Sequence, residues 1–431
     1  MILFVIAGLV LLGGFACRWP TAGLAVALSS LALGFYWFLP EQLSGVPDDL
    51  LLAGHKAVVA VALAANAVRY GIRLSVRSWP LAVTVLLVLQ SVLVADPREI
   101  DAAQIGLAAF GLALPWLFVQ VGLEPGSRRV YAHVLALTPA FAVASGAVLH
   151  LLGVYPLFGG HRLQGATNAG WLSFAAFAGF AVCLHEAWRS SRRRFAYLAA
   201  LNLAIAIFTL GRMGVFACLL FALIYAAAAS DFRDRLGRLG VAVAIGAGIV
   251  IGVFASYLPF LEARMFEGGD ELLNMSGRDE IWSGYLRQFL DNPLFGHGLG
   301  AASELTDYFD LPHNEYLRLL VERGLLGCGL FLAAVVLWGR QLLARVDVGG
   351  RAFLTAAFSS LAVYAITDNV LIMPPALLLF AYFGVMLERP RRVRGRRTRA
   401  RRHRDKSLCS AEEREPVSWE AEARGRLSTG R

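Results

Sequence analysis

Long apolar runs separated by short polar gaps dominate this chain. They fall near residues 2–17, 21–39, 51–68, 79–95, 102–121, 130–152, 169–188, 195–210, 214–229, 239–257, 325–338, 352–371 and 374–387. Most have the length a helix needs to cross a hydrocarbon core of about 30 Å. In lipid every backbone N–H and C=O must be satisfied within the protein, so such runs are read as helices. The pattern predicts an all-α polytopic membrane protein with about 12–13 transmembrane helices, the short first and last runs being re-entrant if they do not cross. The first run, Met1 to Cys17, has no basic start and no small-residue cleavage site before Arg18-Trp19-Pro20. It is expected to be a retained helix and not a removed signal.

The gap from Tyr257 to Pro312 is the one sizeable piece outside the runs. Within it, Ser276 with Asp279 fits a capping box, and Ile281, Trp282, Tyr285, Leu286 and Phe289 recur on one helical face. An amphipathic helix is therefore expected, stopped by Asn292-Pro293. A Gly-rich loop follows, Phe295-Gly296-His297-Gly298-Leu299-Gly300. Asp310-Leu311-Pro312 then opens a second short helix, running through His313 to Arg323 and ended by Gly324. The chain divides into membrane helices over 1–257, a loop with short helices over 258–324, further membrane helices over 325–388, and a tail over 389–431 expected to be disordered.

Charge refines this picture. Hydrophobic residues make up 57% and charged ones 16%, against roughly 25% charged in an average soluble domain. The net charge of +9 resides in the tail, where 15 Lys or Arg face 6 Asp or Glu, leaving the body neutral. Its dense part, Arg389 to Lys406, lacks the interleaved aromatics of a nucleic-acid binder and suits anionic lipid headgroups. One alternating set of connections holds 16 arginines: Arg18, Arg69, Arg73, Arg77, Arg128, Arg129, Arg189, Arg192, Arg193, Arg194, Arg233, Arg235, Arg238, Arg340, Arg345 and Arg351. The other short connections hold Arg98, Arg162 and Arg212. The positive-inside rule puts the first set and the tail in the cytoplasm, and the second set with the 257–312 segment outside.

Outward cations are few, so each invites an explanation. Arg212 sits in the tight turn Leu210-Gly211-Arg212-Met213-Gly214, either binding an anion or snorkelling to headgroups. Arg278 falls in the first turn of the amphipathic helix, where unsatisfied N–H groups and the macrodipole favour anions; pairing to Asp279 or Glu280 is the structural alternative. Arg162, in His161-Arg162-Leu163-Gln164-Gly165, is a weaker candidate of that kind. His313, after Pro312, is expected in a first helical turn, where the dipole disfavours imidazolium and keeps the ring available as a general base. His297 in the Gly-rich loop is a lesser candidate. The outward acids Glu262, Glu267, Asp270, Glu271, Asp279 and Glu280 lack metal-site or paired-carboxylate spacing. Cys17, Cys183, Cys218, Cys328 and Cys409 form neither a disulfide framework nor a metal motif. A transporter would show broken helices in related halves, and no convincing repeat is present. Its main intramembrane charges, His55 and Lys56, are accounted for by snorkelling.

These residues resemble the O-antigen ligase and polymerase superfamily of polysaccharide-assembly glycosyltransferases. The strongest stretch is Leu311-Pro312-His313-Asn314-Glu315-Tyr316-Leu317 through Glu322-Arg323-Gly324-Leu325-Leu326-Gly327. It is preceded by Gly277-Arg278-Asp279-Glu280-Ile281-Trp282 and Asn292-Pro293-Leu294-Phe295-Gly296-His297-Gly298-Leu299-Gly300. Arg162-Leu163-Gln164-Gly165 with Asn168 is similar to the family's Arg-x-x-Gly and Asn segment, and Leu210-Gly211-Arg212-Met213-Gly214 to its Ser-Arg-Gly turn, here with Gly before the Arg and Met after. The resemblance implies a GT-C type fold in the bacterial inner membrane and an undecaprenyl-pyrophosphate-linked glycan as donor. It implies that Arg212 and Arg278, with Arg162 secondary, hold the pyrophosphate, and that His313 activates the acceptor hydroxyl with Asn314 in support. No metal or cofactor is implied. The acceptor is lipid A-core for a ligase or a second lipid-linked glycan for a polymerase; the motifs do not separate the two.

Overall fold

In the computed structural model, residues 2–34, 48–72, 79–94, 102–124, 126–229, 278–303, 312–371 and 373–387 are described. The 239–257 run, Ser276, the side chains of Arg278, Asp279 and Glu280, the acids from Glu262 to Glu271, Cys409 and the tail lie outside them. Twelve of the thirteen apolar runs carry helices: α1 Ile2–Arg18, α2 Pro20–Leu33, α3 Asp48–Tyr70, α4 Trp79–Val94, α5 Ala102–Gln120, α6 Ser127–Leu151, α7 Ala169–Ser190, α8 Arg193–Phe208, α9 Arg212–Ala228, α11 Glu315–Leu343, α12 Val348–Tyr364 and α13 Pro374–Met386. The amphipathic helix α10 spans Arg278–Asp291 and stops before Asn292-Pro293. Among the described residues helix gives way to a hairpin of two-residue strands, β1 Phe158–Gly159 against β2 Arg162–Leu163, and to an isolated antiparallel bridge between Ile72 and Val121.

By length and composition α6, α7 and α11 can each cross a membrane, with shorter apolar helices at Pro20–Leu33, Gly111–Gln120, Arg212–Ala228 and Pro374–Met386. Apolar side chains such as Val61, Leu137, Phe141, Leu223 and Val336 stand exposed on helix surfaces. That distribution suits a bundle whose solvent is hydrocarbon and would be a liability in water. The protein is thus a helical membrane protein. α7 is the central helix, with nearly every residue from Leu172 to Ala187 buried. It packs against α6, α8, α9, α12 and α13.

A polar cluster at one end of α7 helps hold the bundle. In it, Arg128 Nε donates to Glu186 Oε1 at 2.6 Å and Arg128 Nη2 meets His185 Nε2 at 2.8 Å. His185 Nε2 must therefore accept, which puts the ring proton on Nδ1, 3.0 Å from the Tyr225 hydroxyl. Tyr382 Oη also donates to Glu186 Oε1, at 2.7 Å. One carboxylate thus ties α6, α7 and α13, and its neighbour His185 adds α9. Removing the acid takes the carboxylate from a partly buried guanidinium and from the Tyr382 hydroxyl, so Glu186→Ala is expected to cost about 1–3 kcal/mol. Thermal unfolding in detergent reads this; a melting temperature equal to wild type would refute it. Lys56 is 1% exposed, so it does not snorkel as the sequence led us to expect; the middle of α3 packs inward.

Candidate active site

The long helix α11 carries a break. Gly324 has φ +61° and ψ −173°, which separates a short helix of Glu315 to Arg323 from the apolar helix beyond it. This agrees with the expected stop at Gly324. The broken turn leaves backbone groups to satisfy, and the Gly-rich loop satisfies them. His297 N–H donates to Val321 O (2.9 Å) and Gly298 N–H to Glu322 O (2.9 Å), while Leu325 and Leu326 N–H donate to Pro293 O (2.8 Å) and Leu294 O (3.2 Å). The two glycine-containing motifs are therefore halves of one backbone joint. α4 grips both: Gln90 Nε2 donates to Phe295 O at 2.8 Å, and buried Arg323 Nη1 to Leu87 O at 2.8 Å. His297 Nε2 lies 2.8 Å from Gln288 O, binding the loop to α10. Its ring is engaged in structure.

α10 lies on the short half of α11. Tyr285 is fully buried with Val321 and Ala302, and Ile281 and Phe289 pack beside them. Leu286, expected on this face, is 49% exposed. Trp282 Nε1 donates to Pro312 O at 2.7 Å, so α10 holds the backbone just ahead of His313. Arg278 opens this helix one turn before Trp282.

His313 lies outside the helix, which corrects the expected first-turn position. Asn314 is the N-cap, its Oδ1 accepting from Leu317 N–H at 3.1 Å. His313 precedes the cap with φ +46°. What orients the ring is an acid not recognised from the sequence. His313 Nδ1 lies 3.4 Å from Asp368 Oδ1, with the imidazole side chain 48% exposed. A carboxylate accepts, so Nδ1 carries the proton and Nε2 is left as the basic nitrogen. Asp368 was hidden inside an expected apolar run; α12 stops at Tyr364, and Asp368 sits in the connection to α13. The signal was available in Thr367-Asp368-Asn369, a turn-forming cluster ahead of Pro374.

Arg212 and Arg162 lie on two other connections. Arg212 is the first residue of α9 and exposed. A Cβ on Gly211 or Gly214 would come within 2.4 Å or 2.0 Å of Ser173 Oγ, so the glycines flanking Arg212 let the turn rest directly on α7. This accounts for Gly before the Arg. Arg162, on β2, donates from Nε to Thr209 O at 3.1 Å, anchoring the hairpin to the connection that presents Arg212. The rest of its motif is architectural. Gly165 packs on Ala142 of α6, and Asn168 caps α7 by accepting from Trp171 N–H at 2.8 Å. Tyr155 donates to Thr167 O at 3.1 Å, and burial pushes its phenol up from the ordinary tyrosine value, which keeps it a donor. Tyr364 at the end of α12 packs its ring edge-on against Phe174 of α7, with centroids 4.8 Å apart.

Beside the pair, an apolar cavity of about 240 Å³ runs between α5, α11, α12 and α13. Glu315 and Tyr316 mark one end, and Trp116, Phe331, Trp338 and Phe380 line its body. Arg162, Arg212 and His313 do not line it. No group of three or more His, Cys, Asp or Glu among the described residues is arranged to hold a metal ion.

This helical membrane protein thus presents a histidine–aspartate pair on one connection and an exposed arginine at the start of α9. Residues 197–332 match the family model described as O-antigen ligase, which supports the resemblance to that superfamily. The match spans Arg212, Arg278, His297 and His313, while Arg162 and Asp368 lie beyond it. The family supports a function of O-antigen ligase or polymerase type, in general that of a glycosyltransferase-like enzyme. No curated protein matches the chain.

Proposed function

We propose that this protein transfers a polysaccharide from undecaprenyl pyrophosphate to a lipid A-core acceptor at the periplasmic face of the bacterial inner membrane. The observation that carries the reading is the His313–Asp368 pair, 3.4 Å apart, on the bundle that also presents Arg212. With Nδ1 committed to Asp368, His313 Nε2 takes the proton of the acceptor hydroxyl as its oxygen attacks the anomeric carbon. The new C–O bond forms as the bond to the pyrophosphate breaks, with inversion, and the lipid pyrophosphate leaves as an anion. Arg212 and Arg278, with Arg162 in a secondary role, stabilise the charge developing on that leaving group. The chemistry asks for no metal. The sixteen arginines of the alternate connections support a cytoplasmic tail and an outward-facing site.

Reconstitution into liposomes with a purified lipid-linked glycan tests the reading. Lipid A-core as co-substrate should yield glycan of the donor's size on the core. If only a second lipid-linked unit is accepted and the product lengthens, the protein is a polymerase. Arg212→Ala and Arg278→Ala should each slow transfer by about 10²-fold. Arg193→Ala and Arg340→Ala should leave it within about twofold, since exposed surface changes rarely matter. Equal losses in the four variants would argue against a donor role.

A further inference from the structure

We infer that Glu315 is a positioning residue for the His313–Asp368 pair; the inference rests on the proposed role of that pair. Glu315 is the first residue of α11 and is 3% exposed. An acid in a first helical turn is stable facing water, and Asn314 already caps this helix. Helix formation therefore gives no reason to bury the carboxylate. Its contacts do. Glu315 N–H donates to Ala365 O at 2.8 Å, and Glu315 Oε2 accepts from Leu371 N–H at 3.1 Å. These bonds grip the α12–α13 connection three residues before and three residues after Asp368. Asp368 Oδ1 in turn accepts from Asn369 N–H at 2.9 Å, which fixes the carboxylate facing His313.

The buried charge is balanced from within α11. Arg318 bonds Glu315 Oε1 through Nε at 3.0 Å and through Nη2, and reaches Glu322 through Nη1 at 3.1 and 2.9 Å. The two acids on Arg318 thus differ. Among the described contacts, the Glu322 carboxylate ties α11 to itself, whereas Glu315 ties the His313 end of α11 to the segment bearing Asp368. Glu315 acts on the reaction through the imidazole's orientation and touches neither substrate.

Glu315→Gln separates these roles. The amide offers one acceptor where the carboxylate offers two, so either Arg318 or Leu371 N–H faces an NH2 group. Transfer should fall about tenfold in kcat with KM for donor and acceptor unchanged, and Glu315→Gln with Asp368→Asn should be no slower than Asp368→Asn alone. A substrate-free readout is the ¹⁵N signal of His313 in the full chain in nanodiscs, assigned by difference against His313→Gln. Wild type should show the Nδ1–H tautomer, Glu315→Gln a shift toward Nε2–H, and the control Glu322→Gln the wild-type signal. An unmoved tautomer in Glu315→Gln, or losses that add with Asp368→Asn, overturns the inference. A moved tautomer in a protein that transfers no glycan upholds the positioning and overturns the assigned reaction instead.

Discussion

Replacing His313 with alanine is expected to slow glycan transfer by about 10²–10⁴-fold, the range a positioned acid–base group contributes, while the protein remains in the membrane at its wild-type level. The ring is half-exposed and packs little, so its loss should cost chemistry more than stability. The backbone there has φ +46°, which alanine adopts less readily than asparagine. His313→Asn therefore isolates the imidazole, and both variants should lose transfer alike. Asp368→Asn should lose less, because the ring remains but its tautomer is free to exchange. Adding Asp368→Asn to His313→Asn should change nothing further, since residues that act as a unit give non-additive losses. Initial rates per mole of membrane-inserted protein decide the matter. A His313→Asn protein within about threefold of wild type would end the assignment of His313 as base.

Much of this arrangement can be read from the residues before any coordinates. Membrane helices announce themselves because hydrocarbon forces every backbone group into an internal bond, leaving only apolar runs of fixed length. The stops at Asn292-Pro293 and Gly324 are equally legible, because each breaks the helix by backbone chemistry. Legibility fails where an element's end depends on a distant partner. α12 could continue past Tyr364 on hydropathy alone; its connection is set by Glu315 gripping Ala365 and Leu371. Asp368 is therefore invisible to a window that scores apolar content. His313 was placed one turn too far inward for a related reason. Proline at a helix start is common, but here Pro312 serves Trp282 across space, and Asn314 takes the cap. His297, a lesser candidate whose glycine neighbours suggest backbone flexibility more than catalysis, fastens the loop to Gln288 O, a contact across nine residues that the local pattern does not show.

Substituting Gly324 with alanine should damage this protein more than any other single methyl group added along α11. Gly324 has φ +61° and ψ −173°, a region open essentially to glycine alone. A Cβ there would sit 2.3 Å from both the carbonyl carbon and oxygen of Leu294. Those atoms are backbone and belong to the joint itself, so they cannot swing aside as a side-chain tip would. Backbone strain of about 1–3 kcal/mol adds to overpacking of about 1–3 kcal/mol, for a loss of about 2–6 kcal/mol. The alternative open to the variant is a continuous helix, in which residues 321 and 322 bond 325 and 326 directly. That would release the N–H groups of His297 and Gly298 and the carbonyls of Pro293 and Leu294, and with them the seat of α10 above His313. Transfer and stability should therefore fall together. Gly329→Ala is the matched control, on the same helix with nothing within 4 Å of an added Cβ, and it should be neutral or stabilising by about 0.5–1 kcal/mol. Thermal unfolding in detergent and transfer rates measured on the two variants give the comparison. Were Gly324→Ala to melt with Gly329→Ala and retain activity, the interlocked glycines could not be what holds the histidine in place.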